Sequence, residues 1–377
     1  MASDKTLTAI GLMSGTSLDG VDAAVLRTDG MGRAERVASL TVPYDRLAKA
    51  EIVRATKAAL EGRDEAVDIA RAGDAVTTAH IGAVRKVMEA AKLSRAEVDV
   101  IGLHGQTILH RAPVDASAPG RTWQIGSGRT LSDETRIDVV DQFRQADMAA
   151  GGEGAPLAPV YHMAMARSLG RDHAVAVLNV GGVANMTYVP ASGDERGLVA
   201  FDCGPGNGLV DEWVQRHAGL PMDEDGKLAA QGTVDEAAVR MMALNPYLRR
   251  AAPKSLDRYD FKTKPAEGLG LADGAATLTA FTAACVAKSE ALLPSVVGEW
   301  IVCGGGRRNP VLMAALRERL SAPVLSAEDA GWPGDDVEAE CFAYLAVRSL
   351  KTLPISFPGT TRAPRPMTGG VYHRAPV

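Results

Sequence analysis

From Leu7 onward the chain alternates short apolar runs with glycine-rich polar turns. Leu7-Thr8-Ala9-Ile10 and Val21-Asp22-Ala23-Ala24-Val25-Leu26 read as two strands joined by the turn in GLMSGTSLDG, residues 11–20. A third strand is expected at Val37 to Val42. From about Tyr44 to Leu93 apolar positions such as Val67, Ile69-Ala70, Val76, Ile81, Val84 and Val87-Met88 recur at helical spacing with charges between them, so long helices follow the hairpin strands. Val98 to Leu103 is a compact apolar strand that ends at the polar stretch His104-Gly105-Gln106-Thr107, read as a turn. Asp138 to Val140 leads into DQFRQAD and the glycine-rich AAGGEGAPLAP, and the main domain boundary is placed there, near residue 150.

The second half repeats the pattern. Ala174 to Asn179 is a buried strand, Gly181-Gly182 a glycine turn and Ala184 to Val189 a returning strand, so a strand, glycine turn, strand unit occurs once in each half. Trp300 to Cys303 enters Gly304-Gly305-Gly306 and then a helix from Val311, which suits backbone amides that hold phosphate or ribose hydroxyls. A helix at about Glu338 to Leu353 and a Pro/Gly-rich tail pinned to a surface close the chain.

Composition narrows the function classes. A chain of 377 residues that is 46% hydrophobic is expected to build two domains, with ligands favouring the cleft between them. The net charge of -5 and the lack of any Lys/Arg run longer than two give no stripe for nucleic acid or anionic lipid, so a small-molecule partner is expected. No signal-peptide pattern or membrane-span-length apolar run is present, which leads to the expectation of a cytoplasmic protein. Cys203, Cys285, Cys303 and Cys341 form no CxxC and read as reduced, buried small residues.

Three passages carry candidate chemistry. In the opening turn Gly15 and Gly20 allow close backbone approach, Ser14, Thr16 and Ser17 offer hydroxyls and Asp19 a carboxylate. It is no P-loop, because no lysine occurs between Lys5 and Lys49 and a strand pattern resumes at Val21; taken alone it equally reads as a polar hairpin turn. In AFDCGPGNG, residues 200–208, a short strand delivers Asp202 into a rigid turn, as a reacting carboxylate or as the cap of the helix that follows. Phe143 to Asp147 running into Gly151-Gly152-Glu153-Gly154 combines a cation and acids with exposed backbone; Arg144 and Asp147 also read as a surface ion pair. His104 and His162 lie near these turns, while the absence of HxxxH and HExxH spacings disfavours zinc.

In order along the chain, GLMSGTSLDGVD, GLHGQT, DVVDQFRQADMAAGGEGAP, LNVGGVAN, FDCGPGN, CGGG and the terminal MTGG resemble the anhydro-N-acetylmuramic acid kinase family from about residue 10 to about residue 371. The resemblance implies an α/β chain of two similar domains of the actin-like ATPase (ribonuclease H-like) fold with an ATP cleft between them. One domain would span 1–150 with the tail at about 355–377 packing on it, the other 151–354. The family's phosphate loop falls on Gly15, Thr16, Ser17, Leu18, Asp19, Gly20, Val21 and Asp22, and its catalytic aspartate on Asp202. The second phosphate loop falls on Gly181 and Gly182 with Asn185, and the adenosine end on Gly304, Gly305, Gly306 and Asn309. Sugar contacts are expected from Arg144, Asp147, Gly152, Glu153 and His162, with His104 as a positioning residue. Glu153 departs from the Gln of many relatives and, ionised, cannot donate a hydrogen bond.

The implied reaction opens the 1,6-anhydro sugar with water and phosphorylates its 6-oxygen, using ATP and Mg²⁺. Asp202 would act as base and Asp19 as magnesium-orienting group, giving N-acetylmuramic acid 6-phosphate for cell-wall recycling. The resemblance also implies a homodimer. An ordinary sugar kinase of the same fold, or a nucleotide-gated binding protein of the actin or chaperone kind, are the alternatives.

Overall fold

The computed structural model describes the chain except residues 1–4, 16, 65–66, 114–119, 257–260, 333, 335–336 and 377. The glycine turns read from the sequence produce antiparallel hairpins, and the helical stretches act as crossovers that add parallel strands. β1 (Leu7–Ser14), β2 (Gly20–Thr28) and β3 (Ala34–Pro43) form an antiparallel meander. There follow α1 (Arg46–Leu60), α2 (Val67–Ala91), β4 (Val100–Arg111), β5 (Arg121–Ile125), α3 (Gly128–Thr135), β6 (Val139–Asp141), α4 (Gln145–Ala149) and α5 (Pro159–Ser168). Next come β7 (Val175–Val180), β8 (Val183–Val189), β9 (Val199–Pro205), α6 (Gly208–Ala218), α7 (Glu236–Met242), α8 (Leu271–Ser289), β10 (Glu299–Cys303), α9 (Pro310–Arg319) and β11 (Val324–Ser326). The chain finishes with α10 (Val337–Leu350), α11 (Pro358–Thr361) and β12 (Val371–His373).

These elements fall into two units, Met1–Ser168 with Asp336–Val377, and Leu169–Asp335. The sheet of the first runs β12-β6-β4-β1-β2-β3, with β5 also paired to β4; that of the second runs β11-β10-β7-β8-β9. In each, three antiparallel strands are joined on one side by two parallel ones, β4 and β6 beside β1, and β10 and β11 beside β7. Two similar α/β domains are therefore present, as expected.

The expected boundaries at 150 and 354 are corrected to 168/169 and 335/336. The reason is packing that only the folded chain displays. α5 joins the first unit through the buried Tyr161 hydroxyl, which donates to Glu340 Oε2 at 2.7 Å, and Glu340 also pairs with Arg36 at 3.1 Å. α10 lies directly on β1 and β4 because glycine lets the backbones meet: a Cβ at Gly11 would sit 1.8 Å from the Ala339 carbonyl oxygen, and one at Gly102 2.0 Å from that of Phe342. In the tail, β12 pairs β6 of the first unit.

A second correction concerns His104 to Thr107. The chain does not turn there; β4 continues to Arg111, with Gly105 at φ +75° in an irregular stretch where β5 becomes its partner. The four cysteines are free and buried, and no described helix is long and apolar enough to cross a membrane.

Gly11→Ala should lower stability by ~1–3 kcal/mol or more, because the added methyl must push α10 off the sheet. A lower urea midpoint with an unchanged slope is the expected readout, and an unchanged midpoint contradicts the packing.

Candidate active site

In the first unit the β1–β2 turn is held from below. The buried Ser14 hydroxyl donates to Gln106 Oε1 at 2.5 Å and accepts from the Tyr44 hydroxyl at 2.8 Å, whose own pKa burial raises to about 12. Leu18 adopts φ 59°, and its amide donates to the Gly15 carbonyl. Ser17 and Asp19 are exposed, whereas Leu18 packs against the core and Val21 lies inside it, so Val21 can meet a ligand through its backbone alone. Thr16 lies outside the described residues. At Gly20 the Val42 carbonyl would be 2.3 Å from a Cβ, so strand β3 by itself requires glycine there. Asp22 accepts from the Thr41 hydroxyl at 2.6 Å.

A second cluster of this unit surrounds Arg144. Its guanidinium donates to His104 Nε2 at 2.9 Å and to the Gly154 carbonyl at 2.8 Å. His104 Nδ1 in turn lies 2.9 Å from the Gly105 carbonyl, which fixes the neutral tautomer with its proton on Nδ1. Burial and then the Arg144 charge hold His104 well below the usual imidazole pKa. His104 thus holds Arg144 through one hydrogen bond.

Asp147 requires a correction. It is 1% exposed, and its carboxylate accepts from the hydroxyls of Ser356 and Thr361 and, at 2.7 Å, from the Gly154 amide. It braces the 152–154 loop against the C-terminal segment and is no surface ion-pair residue. A Cβ at Gly152 would collide with the same carboxylate at 2.1 Å. Glu153, also buried, pairs with Arg362 at 3.2 Å while its amide donates to the Thr361 carbonyl at 2.6 Å. His162 sits on α5 among packed side chains, its pKa lowered to about 4 by burial.

Sequence reasoning missed Gln106 and Tyr44 as loop anchors, and it missed Glu338. The Glu338 carboxyl is raised by desolvation and then by Asp22, with Arg144 opposing, which places it in the electrostatic reach of two expected site residues. A cavity of about 270 Å³ is lined by His104, the partner of Arg144, with Trp123, Gln124, Asp141, Gln142 and Gln145 among others. An aromatic ring among amides suits a hydroxyl- and amide-bearing ligand.

In the second unit the remaining candidates converge on the end of one sheet. Register puts Asn179 opposite Asn185 and Asn185 opposite Asp202, so three polar side chains form one rung across β7, β8 and β9. Asp202 does not cap α6; that position belongs to Asn207. Its Oδ2 accepts from the Leu256 amide at 2.7 Å, its own amide donates to the Lys254 carbonyl at 2.9 Å, and its carbonyl accepts from the Tyr247 hydroxyl at 2.8 Å. The Gly181-Gly182 turn abuts the 206–208 turn: the amides of Gly206 and Gly208 donate to the Gly182 carbonyl and that of Asn207 to the Gly181 carbonyl.

The third glycine turn is built by contact as well. Gly304 has φ +74° and its Cβ would lie 2.3 Å from Asn179 Oδ1, so this turn rests on the polar rung. The buried Arg307 locks it, donating to the Gly304 carbonyl at 3.0 Å and pairing with Glu328 at 2.7 Å. Asn309 caps α9, its Oδ1 accepting from Val311 and Leu312 amides at 3.0 and 3.1 Å; Gly305 is exposed.

A family model described as anhydro-N-acetylmuramic acid kinase matches residues 7–375. The chain belongs to this kinase family. It is 49% identical over 368 residues to the anhydro-N-acetylmuramic acid kinase of Rhizorhabdus wittichii, covering 97% of this chain and 98% of that protein. To the enzyme of the same description from Rhodospirillum rubrum it is 47% identical over 372 residues, covering 98% and 95%. Among solved structures, component A of the (R)-2-hydroxyglutaryl-CoA dehydratase of Acidaminococcus fermentans is similar at a TM-score of 0.49 and 15% identity, over 91% of this chain and 98% of that one. The protein is thus an enzyme of the anhydro-N-acetylmuramic acid kinase family.

Four histidines of the kinase's first unit, His80, His104, His110 and His162, all have imidazole pKa values lowered chiefly by burial, three of them to about 4. The unfolded chain takes up protons near pH 6.5 that the folded one refuses, so stability is full above that pH and is lost as pH falls toward about 4. The melting temperature should decline through that window. His162→Gln should make the decline shallower; an equally steep decline contradicts the assignment.

Proposed function

We propose that this chain uses ATP to open 1,6-anhydro-N-acetylmuramic acid and to phosphorylate its 6-oxygen, giving N-acetylmuramic acid 6-phosphate and ADP. The observation that carries the reading is the polar rung of Asn179, Asn185 and Asp202 in a chain of this family: a carboxylate fixed by the Leu256 amide, half-buried, beside a glycine turn.

In the 1,6-anhydro sugar the 6-oxygen is already bonded to the anomeric carbon, so no free 6-hydroxyl exists to be phosphorylated. Asp202 takes a proton from a water that attacks the anomeric carbon, and the bond between that carbon and the 6-oxygen breaks. The released 6-oxygen attacks the γ-phosphorus and ADP leaves; the water oxygen ends as the anomeric hydroxyl and one proton is released. Gly181 and Gly182, with the amide-rich Gly304 turn, bind the nucleotide in the second unit, and Ser17 with the Gly15 to Asp22 backbone contacts phosphate in the first. Arg144, held by His104, and the cavity beside it take the sugar. Glu153 is committed to Arg362, and its part is to shape the sugar loop.

No group of three His, Cys, Asp or Glu side chains that could hold a metal occurs among the described residues. Mg²⁺ keeps several waters and shares phosphate oxygens with one or two carboxylates; the exposed Asp19 is the residue that would hold it, and the ion would supply charge neutralisation at the phosphates. The product fits the recycling of cell-wall sugar.

Incubation with ATP and Mg²⁺ should yield ADP in the presence of the anhydro sugar and none without it. Asp202→Asn should lower kcat by roughly 10²–10⁴-fold with nucleotide binding retained in calorimetry. Sugar-independent ADP release, or near-normal turnover by the variant, contradicts the proposal.

A further inference from the structure

Lys254 carries a buried charge that the reaction above does not use. It is 2% exposed, in the loop that follows the Pro246–Arg249 turn, and its ammonium makes one hydrogen bond, to the Tyr247 carbonyl at 3.0 Å. Two aromatic faces lie near the ammonium, Tyr247 at 4.5 Å and Phe201 at 5.6 Å from the nitrogen. Among the described residues no carboxylate lies within 4.0 Å of it. Cys203, Cys285, Arg250 and Asp202 are the titratable or charged groups that act on it from neighbouring segments.

Such a cation is costly. Removing an ammonium from water is strongly unfavourable, and ring faces with one carbonyl return only part of the lost hydration. A methionine of similar length would fill the space without the cost, so the charge needs a reason in what it holds. What it holds is Tyr247, which is gripped twice by Lys254, at its carbonyl and at its ring, and whose hydroxyl donates to the Asp202 carbonyl at 2.8 Å. The Lys254 carbonyl meanwhile accepts the Asp202 amide at 2.9 Å, and two residues later the Leu256 amide grips the Asp202 carboxylate at 2.7 Å. Phe201, whose ring the ammonium faces, is the neighbour of Asp202 on β9. One lysine is thereby tied to the peptide groups on both sides of Asp202 and to the segment that orients its carboxylate.

We propose that Lys254, acting through Tyr247, is a positioning residue for Asp202: its caged ammonium locks the Tyr247 ring and the 254–256 segment, and these set the direction of the reacting carboxylate. This rests on Asp202 being the base. The role predicts a loss in kcat without a matching loss in ground-state binding, since the misdirected group acts in the reaction and not in holding ATP.

The test uses the full chain with ATP, Mg²⁺ and the anhydro sugar. Lys254→Met, which keeps the volume and removes the charge, should lower kcat by about 10²-fold with KM for ATP within about twofold of wild type. Tyr247→Phe, which removes only the hydroxyl on the Asp202 carbonyl, should lower kcat by about 10-fold. Combined with Asp202→Asn, Lys254→Met should add no further loss, because it acts through a base that is already absent. Wild-type kcat in Lys254→Met, or a double variant whose losses multiply, overturns the proposal. If Lys254→Met does not fold, Tyr247→Phe and its combination with Asp202→Asn decide by the same criteria. A fully active Asp202→Asn would instead refute the base assignment, in an arm that does not depend on Lys254.

Discussion

The close contact of two turns in the second unit is the constraint on which its site depends. Gly206 and Gly208 must lack side chains because the carbonyls of Gly181 and Gly182 would lie 2.3 and 2.9 Å from their Cβ atoms, and the amides of 206–208 are satisfied by those carbonyls. The turn that follows Asp202 and the turn between β7 and β8 are consequently one rigid piece. The third turn is fastened to the same place, since Gly304 rests against Asn179 and Arg307 closes it. In the proposed reaction a base must be held in fixed relation to phosphate-binding backbone, and peptide groups, which have no rotamers to lose, would supply that precision.

The first unit solves its positioning problem with buried charge. Arg144 is bound by an imidazole and a carbonyl, and Asp147 by two hydroxyls and an amide. Breaking either set strands a charge that has left water, which is far more costly than the net value of any one of the bonds. The partners of Asp147 come from the far end of the chain, Ser356 and Thr361, so the C-terminal segment is an integral part of the 152–154 loop's support.

What could be read from the sequence was local. Alternation and glycine turns revealed both hairpins, the strand at Trp300 to Cys303 and the helices before Leu93, because each depends on residues a few positions apart. The acid in FDCGPGN was visible for the same reason. What escaped depends on distant partners. His104 to Thr107 looked like a turn because β5, which completes the ladder, lies beyond it in the chain. Asp147 and Glu153 looked like ligand contacts because Ser356, Thr361 and Arg362 are some 200 residues away. The domain boundary was misplaced because Gly11 and Gly102, unremarkable as letters, admit α10 to the first unit. The strand that requires glycine at position 20 was likewise out of view.

The central claim is that water opens the bridge while the bridging oxygen receives the phosphoryl group. The most direct test is a single reaction in ¹⁸O-water, quenched early and analysed by mass spectrometry of fragments. One heavy oxygen at the anomeric carbon of the product, with none in the phosphoryl group or at the 6-position, is the predicted result. A phosphorylated product that carries no label at the anomeric carbon, with the anhydro bridge intact, would contradict it and make the chain a kinase of an ordinary hydroxyl.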